Sequence, residues 1–233
     1  MGFRFRQFEV EDIQSSMRVG SDSMLLGAWS NPGIKSKILD IGTGCGVLAL
    51  MIAQKSTGII DAIEIDKQSI NEAQSNFLNS PWTSRINPIH DDVAAYSRQT
   101  EIRYDFIISN PPFFKNSLKS PELRKNQARH DIALSNEELI KAVDRLLSIT
   151  GRFSTILPAN IISGFIGICE KHNLHAMRRT DVFPKPDSRI KRVLMEFSRY
   201  NNPVPIQSEM IILNSEGKFS LDYLELTSGY HQF

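Results

Sequence analysis

Apolar runs of strand length alternate along this chain with segments of helical period. Ile38-Leu39-Asp40-Ile41 reads as a nearly all-apolar strand running into Gly42-Thr43-Gly44-Cys45-Gly46, and Val47 to Ala53 follows as a helix. Ile60 to Asp66 is a second strand with an acidic end. Residues 67–79 then place Ile70, Ala73 and Phe77 on one helical face. After the Ser80-Pro81 break before Trp82, Arg85 to Ile89 forms a third strand ending at Asp91 and Asp92. Tyr104 to Ser109 is a fourth, and it must stop at Pro111 and Pro112, because neither ring can donate to a sheet ladder. Ser135-Asn136-Glu137-Glu138 opens a capped helix through Leu147, with Leu139, Val143, Leu146 and Leu147 inward and Gly151 ending it. A strand from Phe153 to Leu157, a helix near 161–171 and strand-like runs at Leu174 to Val182, Val193 to Phe197 and Met210 to Leu213 complete the order. Upstream, the two-residue alternation of Phe3 to Phe8 predicts a small hairpin with Ser16-Met17-Arg18-Val19. A short helix from Met24 to Trp29 follows, for which Ser21 or Asp22 is the expected cap. Such alternation of strands and helices implies a mostly parallel sheet with right-handed crossovers.

Composition narrows the picture only a little. At 233 residues, with 41% hydrophobic and 23% charged, the chain has the size and balance of one globular α/β domain, and it shows no internal repeat or linker. No apolar run reaches membrane-spanning length and no basic-then-apolar signal segment opens the chain, so the expected location is the cytoplasm. Two cysteines, Cys45 and Cys169, make no disulfide framework, and with five unpaired histidines no metal site is expected. A net charge of +1 gives no global attraction to nucleic acid, so any basic surface is local. A monomer is expected.

Candidate chemistry gathers where strands end. Asn110 is delivered rigidly at the carboxyl end of its strand, where ligands of open α/β sheets sit. Its amide oxygen and the Asn110 or Pro111 carbonyl suit the two hydrogens of an exocyclic amino group, with Pro112 holding the turn and Phe113 stacking on a planar ring. Gly42, Gly44 and Gly46, with Thr43 between them and Asp40 just before, let the backbone turn tightly and approach a bound nucleoside. Glu64 lies roughly 20 residues on, the place of a carboxylate that grips ribose hydroxyls. A dinucleotide site would space its glycines G-x-G-x-x-G; here the third comes one position early and Val47 stands in its place. The turn therefore suits a ligand without a pyrophosphate.

Asp40, the glycine turn, Glu64 and Asn110-Pro111-Pro112-Phe113 together resemble the class I methyltransferases that use S-adenosylmethionine to methylate amino groups. The resemblance implies a Rossmann-like α/β fold: a mostly parallel seven-stranded sheet with helices on both faces and an antiparallel C-terminal strand. It also implies that Asp92, rather than Asp91, meets the cofactor's adenine, and that the loop holding Asp22 lies beside its methionine end. Nearly the whole chain is similar to the bacterial tRNA (adenine-N6)-methyltransferases that modify adenine 37 of a valine tRNA. The similarity runs through Met17-Arg18-Val19-Gly20-Ser21-Asp22, Leu25-Leu26-Gly27-Ala28-Trp29, Ser80-Pro81-Trp82, Gln127-Ala128-Arg129, Arg179-Thr180-Asp181-Val182 and Arg192-Val193-Leu194. Members of that family often carry Tyr where Phe113 stands, and Asn-Pro-Pro-Phe also occurs in ribosomal RNA guanine-N2 enzymes and suits protein-glutamine methyltransferases. A catalytically silent RNA-binding protein is the reading from another class. Two basic runs are expected to meet phosphates: Lys115, Lys119, Arg124, Lys125 and Arg129 in a loop over 114–131, and Arg189, Lys191 and Arg192, with Arg178, Arg179 and Lys185 nearby.

Overall fold

A computed structural model describes residues 2–15, 18–34, 36–112, 134–201 and 204–230. Eight strands form the main sheet: β3 (Lys37–Ile41), β4 (Ile59–Glu64), β5 (Ile86–His90), β6 (Tyr104–Ser109), β7 (Leu147–Pro158), β8 (His175–Phe183), β9 (Arg192–Ser198) and β10 (Ile206–Ile211). Their spatial order is β10-β8-β9-β7-β6-β3-β4-β5, and only β9 runs against its neighbours. The sheet is thus mostly parallel, with one strand more than the seven expected, because β10 adds in parallel outside β8.

Continuous apolar runs in β3 and β6 are what a strand buried on both faces requires. One core layer packs α1 (Ser21–Trp29), α2 (Val47–Lys55), α3 (Lys67–Leu78) and α7 (Leu221–Thr227) against the sheet. The other packs α4 (Val93–Gln99), α5 (Asn136–Leu146) and α6 (Ile162–Lys171). The capping box of α5 is complete: Ser135 accepts from the Glu138 amide, and Glu138 accepts in return from the Ser135 amide. Accepting those bonds holds the Glu138 carboxyl below its ordinary pKa.

Three local expectations change. The N-terminal hairpin closes sooner, since β1 (Phe3–Arg4) pairs with β2 (Glu9–Val10) rather than with residues near 18, and Phe5 stacks on Phe8 in the turn. Helix α5 stops at Leu146 and β7 begins at Leu147; Gly151 lies within that strand, where a Cβ would stand 2.9 Å from the Tyr104 carbonyl oxygen. Neither Ser21 nor Asp22 caps α1: Gly20 holds that position and no side chain bonds the first turn.

The geometry that matters for function is the carboxyl edge of the sheet. There β3, β4, β5 and β6 all end, and the 184–191 connection between β8 and the antiparallel β9 emerges on the same side.

Candidate active site at the carboxyl edge of the sheet

The turn after β3 is built from left-handed backbone, with φ of +69° at Gly42, +56° at Gly44 and +86° at Gly46. The Gly42 and Thr43 amides donate to the Ile63 carbonyl at 2.9 and 3.1 Å, which ties the turn to the end of β4. Gly42 and Gly46 need glycine for different reasons. A Cβ on Gly46 would lie 2.4 Å from the Phe77 ring, whereas one on Gly42 would meet nothing within 4 Å. The first is a packing constraint, and the second leaves open space at the edge.

Asp40 is fully buried beneath this turn. Its Oδ2 accepts from Thr43 Oγ1 at 2.6 Å and from the Ala49 amide at 3.1 Å, while Oδ1 has no partner. Burial pushes its carboxyl up from 3.8 to about 7, against the lowering effect of those two hydrogen bonds. Glu64, at the end of β4, accepts from the Gly44 amide through Oε2 and from the Ile65 and Asp66 amides through Oε1, each at 3.0 Å. Three backbone bonds fix this carboxylate against the glycine turn while leaving lone pairs for further donors.

Asn110 is buried at 8% exposure, and its Nδ2 donates to Ser23 Oγ at 3.3 Å. Its Oδ1 has no partner. An unpaired buried amide oxygen is costly, and a substrate that donates hydrogens there removes the cost. Ser109 Oγ donates to the Ile41 carbonyl at 2.9 Å, locking the ends of β6 and β3 together just before Asn110. Pro111 is buried and Pro112 is exposed. A narrow pocket beside them is lined by Arg18, Ser23, Gly42, Thr43, Gly44, Cys45, Val47, Leu48 and Asn110.

Ser23 and Arg18 were not singled out in the sequence. A serine inside a helix carries no local signal of a partner 87 positions away. Helix α1 reaches the site because it is held at both ends. Asp22 pairs with Arg192 Nε at 2.7 Å, and Lys55 Nζ donates to the Gly27 and Ser30 carbonyls at 2.9 Å each and to that of Ala28. Asp22 therefore turns to Arg192 rather than lining the pocket.

Asp91 and Asp92 follow β5 beside Glu64, whose carbonyl accepts from the Asp91 amide at 3.2 Å. Asp91 Oδ1 accepts from the Asp92 amide at 2.7 Å, and Asp92 Oδ1 caps α4 through the Ala94 amide at 2.9 Å. Both carboxylates are half-buried.

The second basic run divides. Arg178 lies over the Trp29 ring, 3.5 Å from its centroid, with Glu196 3.7 Å away, and Arg179 forks onto Asp181 within its own strand. These two are structural, and Arg192 is bound to Asp22. Lys185, Arg189 and Lys191 are exposed on the connection at the carboxyl edge. Phe113, Lys115, Lys119, Arg124, Lys125 and Arg129 lie outside the described residues. Burial pushes the Cys45 thiol up to about 12 and raises that of Cys169 further, so neither is a nucleophile. Among the described residues no cluster of His, Cys, Asp and Glu could hold a metal ion, and no helix is long and apolar enough to cross a membrane.

Comparison with known proteins converges on one family. A family model described as the methyltransferase small domain matches residues 13–157. The tRNA1(Val) (adenine(37)-N6)-methyltransferase of Bacteroides fragilis is 38% identical, covering 98% of this chain and 97% of its own length. That of Trichodesmium erythraeum is 40% identical over 87% of this chain and 86% of its own. Among solved structures, a predicted O-methyltransferase from Agrobacterium tumefaciens shares the fold at a TM-score of 0.69 and 18% identity, covering 89% of this chain and 96% of that one. With the glycine turn, Glu64 and Asn110 on one edge of such a sheet, the chain belongs to the methyltransferase small domain family, among the tRNA1(Val) (adenine(37)-N6)-methyltransferases.

Proposed function

We propose that the protein transfers a methyl group from S-adenosylmethionine to N6 of adenine 37 in the anticodon loop of a valine tRNA. The observation that carries this reading is the buried, unpartnered Oδ1 of Asn110, aimed from the end of β6 beside the glycine turn. The residues fit the cofactor on their own chemistry. Gly42 leaves space at the edge, Asp40 Oδ1 is an orphaned acceptor beneath it, and Glu64 keeps lone pairs for ribose hydroxyls. Asp92 has a second carboxylate oxygen for the adenine amino group, while Thr43 and Gly44 form the floor. S-adenosylmethionine supplies the methyl group as a sulfonium electrophile.

The chain's own task is to prepare a poor nucleophile. The adenine amino lone pair is delocalised into the ring. Asn110 Oδ1 and the Pro111 carbonyl accept its two hydrogens, draw the nitrogen toward tetrahedral geometry and fix its direction, and such orientation supplies much of the acceleration. No strong base is required, because the amino proton becomes acidic only as the new bond forms and leaves to water. Phe113 provides a stacking face for the unstacked base, and Pro112 keeps the turn rigid. Stacking of this kind contributes about 1–3 kcal/mol. Lys185, Arg189 and Lys191, on the same edge, meet RNA phosphates, together with Lys115, Lys119, Arg124, Lys125 and Arg129; such contacts position the RNA without reading its sequence. The whole chain acts as one methyltransferase domain, as a monomer in the cytoplasm where tRNA is found.

Purified protein, labelled S-adenosylmethionine and unmodified total tRNA, followed by nucleoside analysis, test the proposal. N6-methyladenosine in a valine isoacceptor is the expected product. Label in N2-methylguanosine, or in ribosomal RNA or a release factor alone, would overturn the substrate while leaving the cofactor site standing.

A further inference from the structure

Ahead of α1, residues 11–15 and 18–19 run beside the glycine turn. One helix, α3, fastens them. The Glu72 carboxylate accepts three successive amides, those of Ile13 and Gln14 through Oε1 at 2.8 and 2.9 Å and that of Ser15 through Oε2 at 2.8 Å. Asn76, one turn on, accepts from the Glu11 amide at 3.0 Å and donates to the carbonyls of Glu11 and Cys45 at 2.8 Å each. The segment is thereby stitched across the glycine turn itself, and a Cβ on Gly44 would lie 3.2 Å from Ser15 Oγ. Asp12 Oδ2 accepts from the Val19 amide at 2.9 Å, which closes the segment on itself just before α1. Glu72 and Asn76 are both buried, so this fastening is held out of water.

Arg18 stands at the end of that strap. It is exposed, it lines the pocket with Gly42, Thr43, Gly44 and Asn110, and it makes no ion pair among the described residues. Among the described residues it is also the single cation in the pocket lining, whose other polar groups are hydroxyls, the Cys45 thiol, the Asn110 amide and backbone. We propose that Arg18 is the binding residue for the carboxylate of the cofactor's methionine portion, and that the strap fastened by Glu72 exists to present it. The proposal rests on S-adenosylmethionine being the ligand of this edge. With the ribose at Glu64 and the methyl group before Asn110, the amino-acid end extends toward Arg18 and Ser23. A carboxylate there needs a positive partner, and a guanidinium fork matches its two oxygens.

Binding of two ligands to the intact protein, measured by calorimetry without RNA, separates this role from others. S-adenosylmethionine and its decarboxylated analogue share adenosine, sulfonium and ammonium and differ only in the carboxylate. Arg18→Ala is expected to weaken S-adenosylmethionine about tenfold or more and to leave the decarboxylated analogue within twofold, with Arg18→Lys recovering part of the loss. Equal loss for both ligands, or none for either, would overturn the assignment; unchanged cofactor binding with weakened tRNA binding would give Arg18 to the RNA instead. If the unsubstituted protein binds neither ligand, the cofactor reading itself fails, an outcome distinct from a failure of Arg18.

Discussion

Gly42 and Gly46 share a left-handed backbone but face opposite environments, so the same substitution at each separates stability from binding. Alanine in that conformation costs about 1–2 kcal/mol at either position. At Gly46 the added methyl group also collides with the buried Phe77 ring, at 2.4 and 2.7 Å from two of its carbons and 3.3 Å from the Ala73 Cβ. Overpacking of that kind adds about 1–3 kcal/mol, for a total of roughly 2–5 kcal/mol. In a protein of this size each kcal/mol shifts Tm by about 2–4 °C. Gly46→Ala is therefore expected to melt about 4–20 °C below the unsubstituted protein, and Gly42→Ala only about 2–8 °C below it. Binding should follow the reverse order, because the Gly42 methyl group projects into the space assigned to the cofactor. Thermal melts followed by circular dichroism, with and without saturating S-adenosylmethionine, read both effects. The ligand-induced rise in Tm should vanish in Gly42→Ala and persist in Gly46→Ala. Equal melting temperatures without ligand would refute the role of the Phe77 contact, and a full ligand-induced shift in Gly42→Ala would refute the placement of the cofactor.

Other perturbations address the remaining residues. Asn110→Ala should reduce methyl transfer at least a hundredfold while leaving the Kd for S-adenosylmethionine within twofold; parallel loss of both would remove Asn110 from substrate recognition. Ser23→Ala strips Asn110 Nδ2 of its acceptor and is expected to lower kcat about tenfold with KM little changed and Ser23→Thr restoring it, whereas unaltered kcat would show that Ser23 only fills space. Asp40 titrates at about 7 in the native protein against 3.8 in the unfolded chain, so the native state holds a proton that the unfolded state has released. The stability this confers is complete below about pH 4 and is lost as pH rises through 7, so Asp40→Asn should gain on the unsubstituted protein by roughly 2–3 kcal/mol between pH 5 and 8 in urea unfolding. A flat difference across that range would rule out the shifted carboxyl. Replacing Lys185, Arg189 and Lys191 with glutamate should weaken tRNA binding and flatten its salt dependence by about 0.7 per lost phosphate contact on single-stranded RNA; an unchanged slope would place the RNA elsewhere.

What the sequence made legible is what residue type alone dictates. Proline cannot donate to a ladder, so the end of β6 and the delivery of Asn110 at that end were readable, as were the left-handed glycines after β3 and the reciprocal cap of α5. Long-range partners were not. Asp22 looks like a helix cap until Arg192, 170 positions later, is folded beside it. Arg178 looks like an RNA contact until Trp29 and Glu196 are found against it. Gly151 reads as a helix terminator from composition, but it is required where β7 passes the Tyr104 carbonyl. Met210 to Leu213 reads as a strand, but the start of β10 at Ile206 was not legible, because Ile206 to Glu209 are exposed and lack the apolar face that marks a buried strand.

The way α1 is surrounded sets an order for the birth of the active enzyme. It is made early, yet it packs against α7, and the hairpin before it is anchored by the Arg6 amide on the Tyr230 carbonyl and the Arg6 guanidinium on that of Ser228. Tyr230 in turn donates to the Met51 carbonyl of α2 at 3.0 Å. A ribosome therefore passes α7 before the helix carrying Ser23 acquires its last supports. Contacts that span so much of the chain form slowly. A nascent chain stalled before residue 220 would hold the glycine turn and Asn110 but lack these supports, so methylation competence waits on residues 221–230.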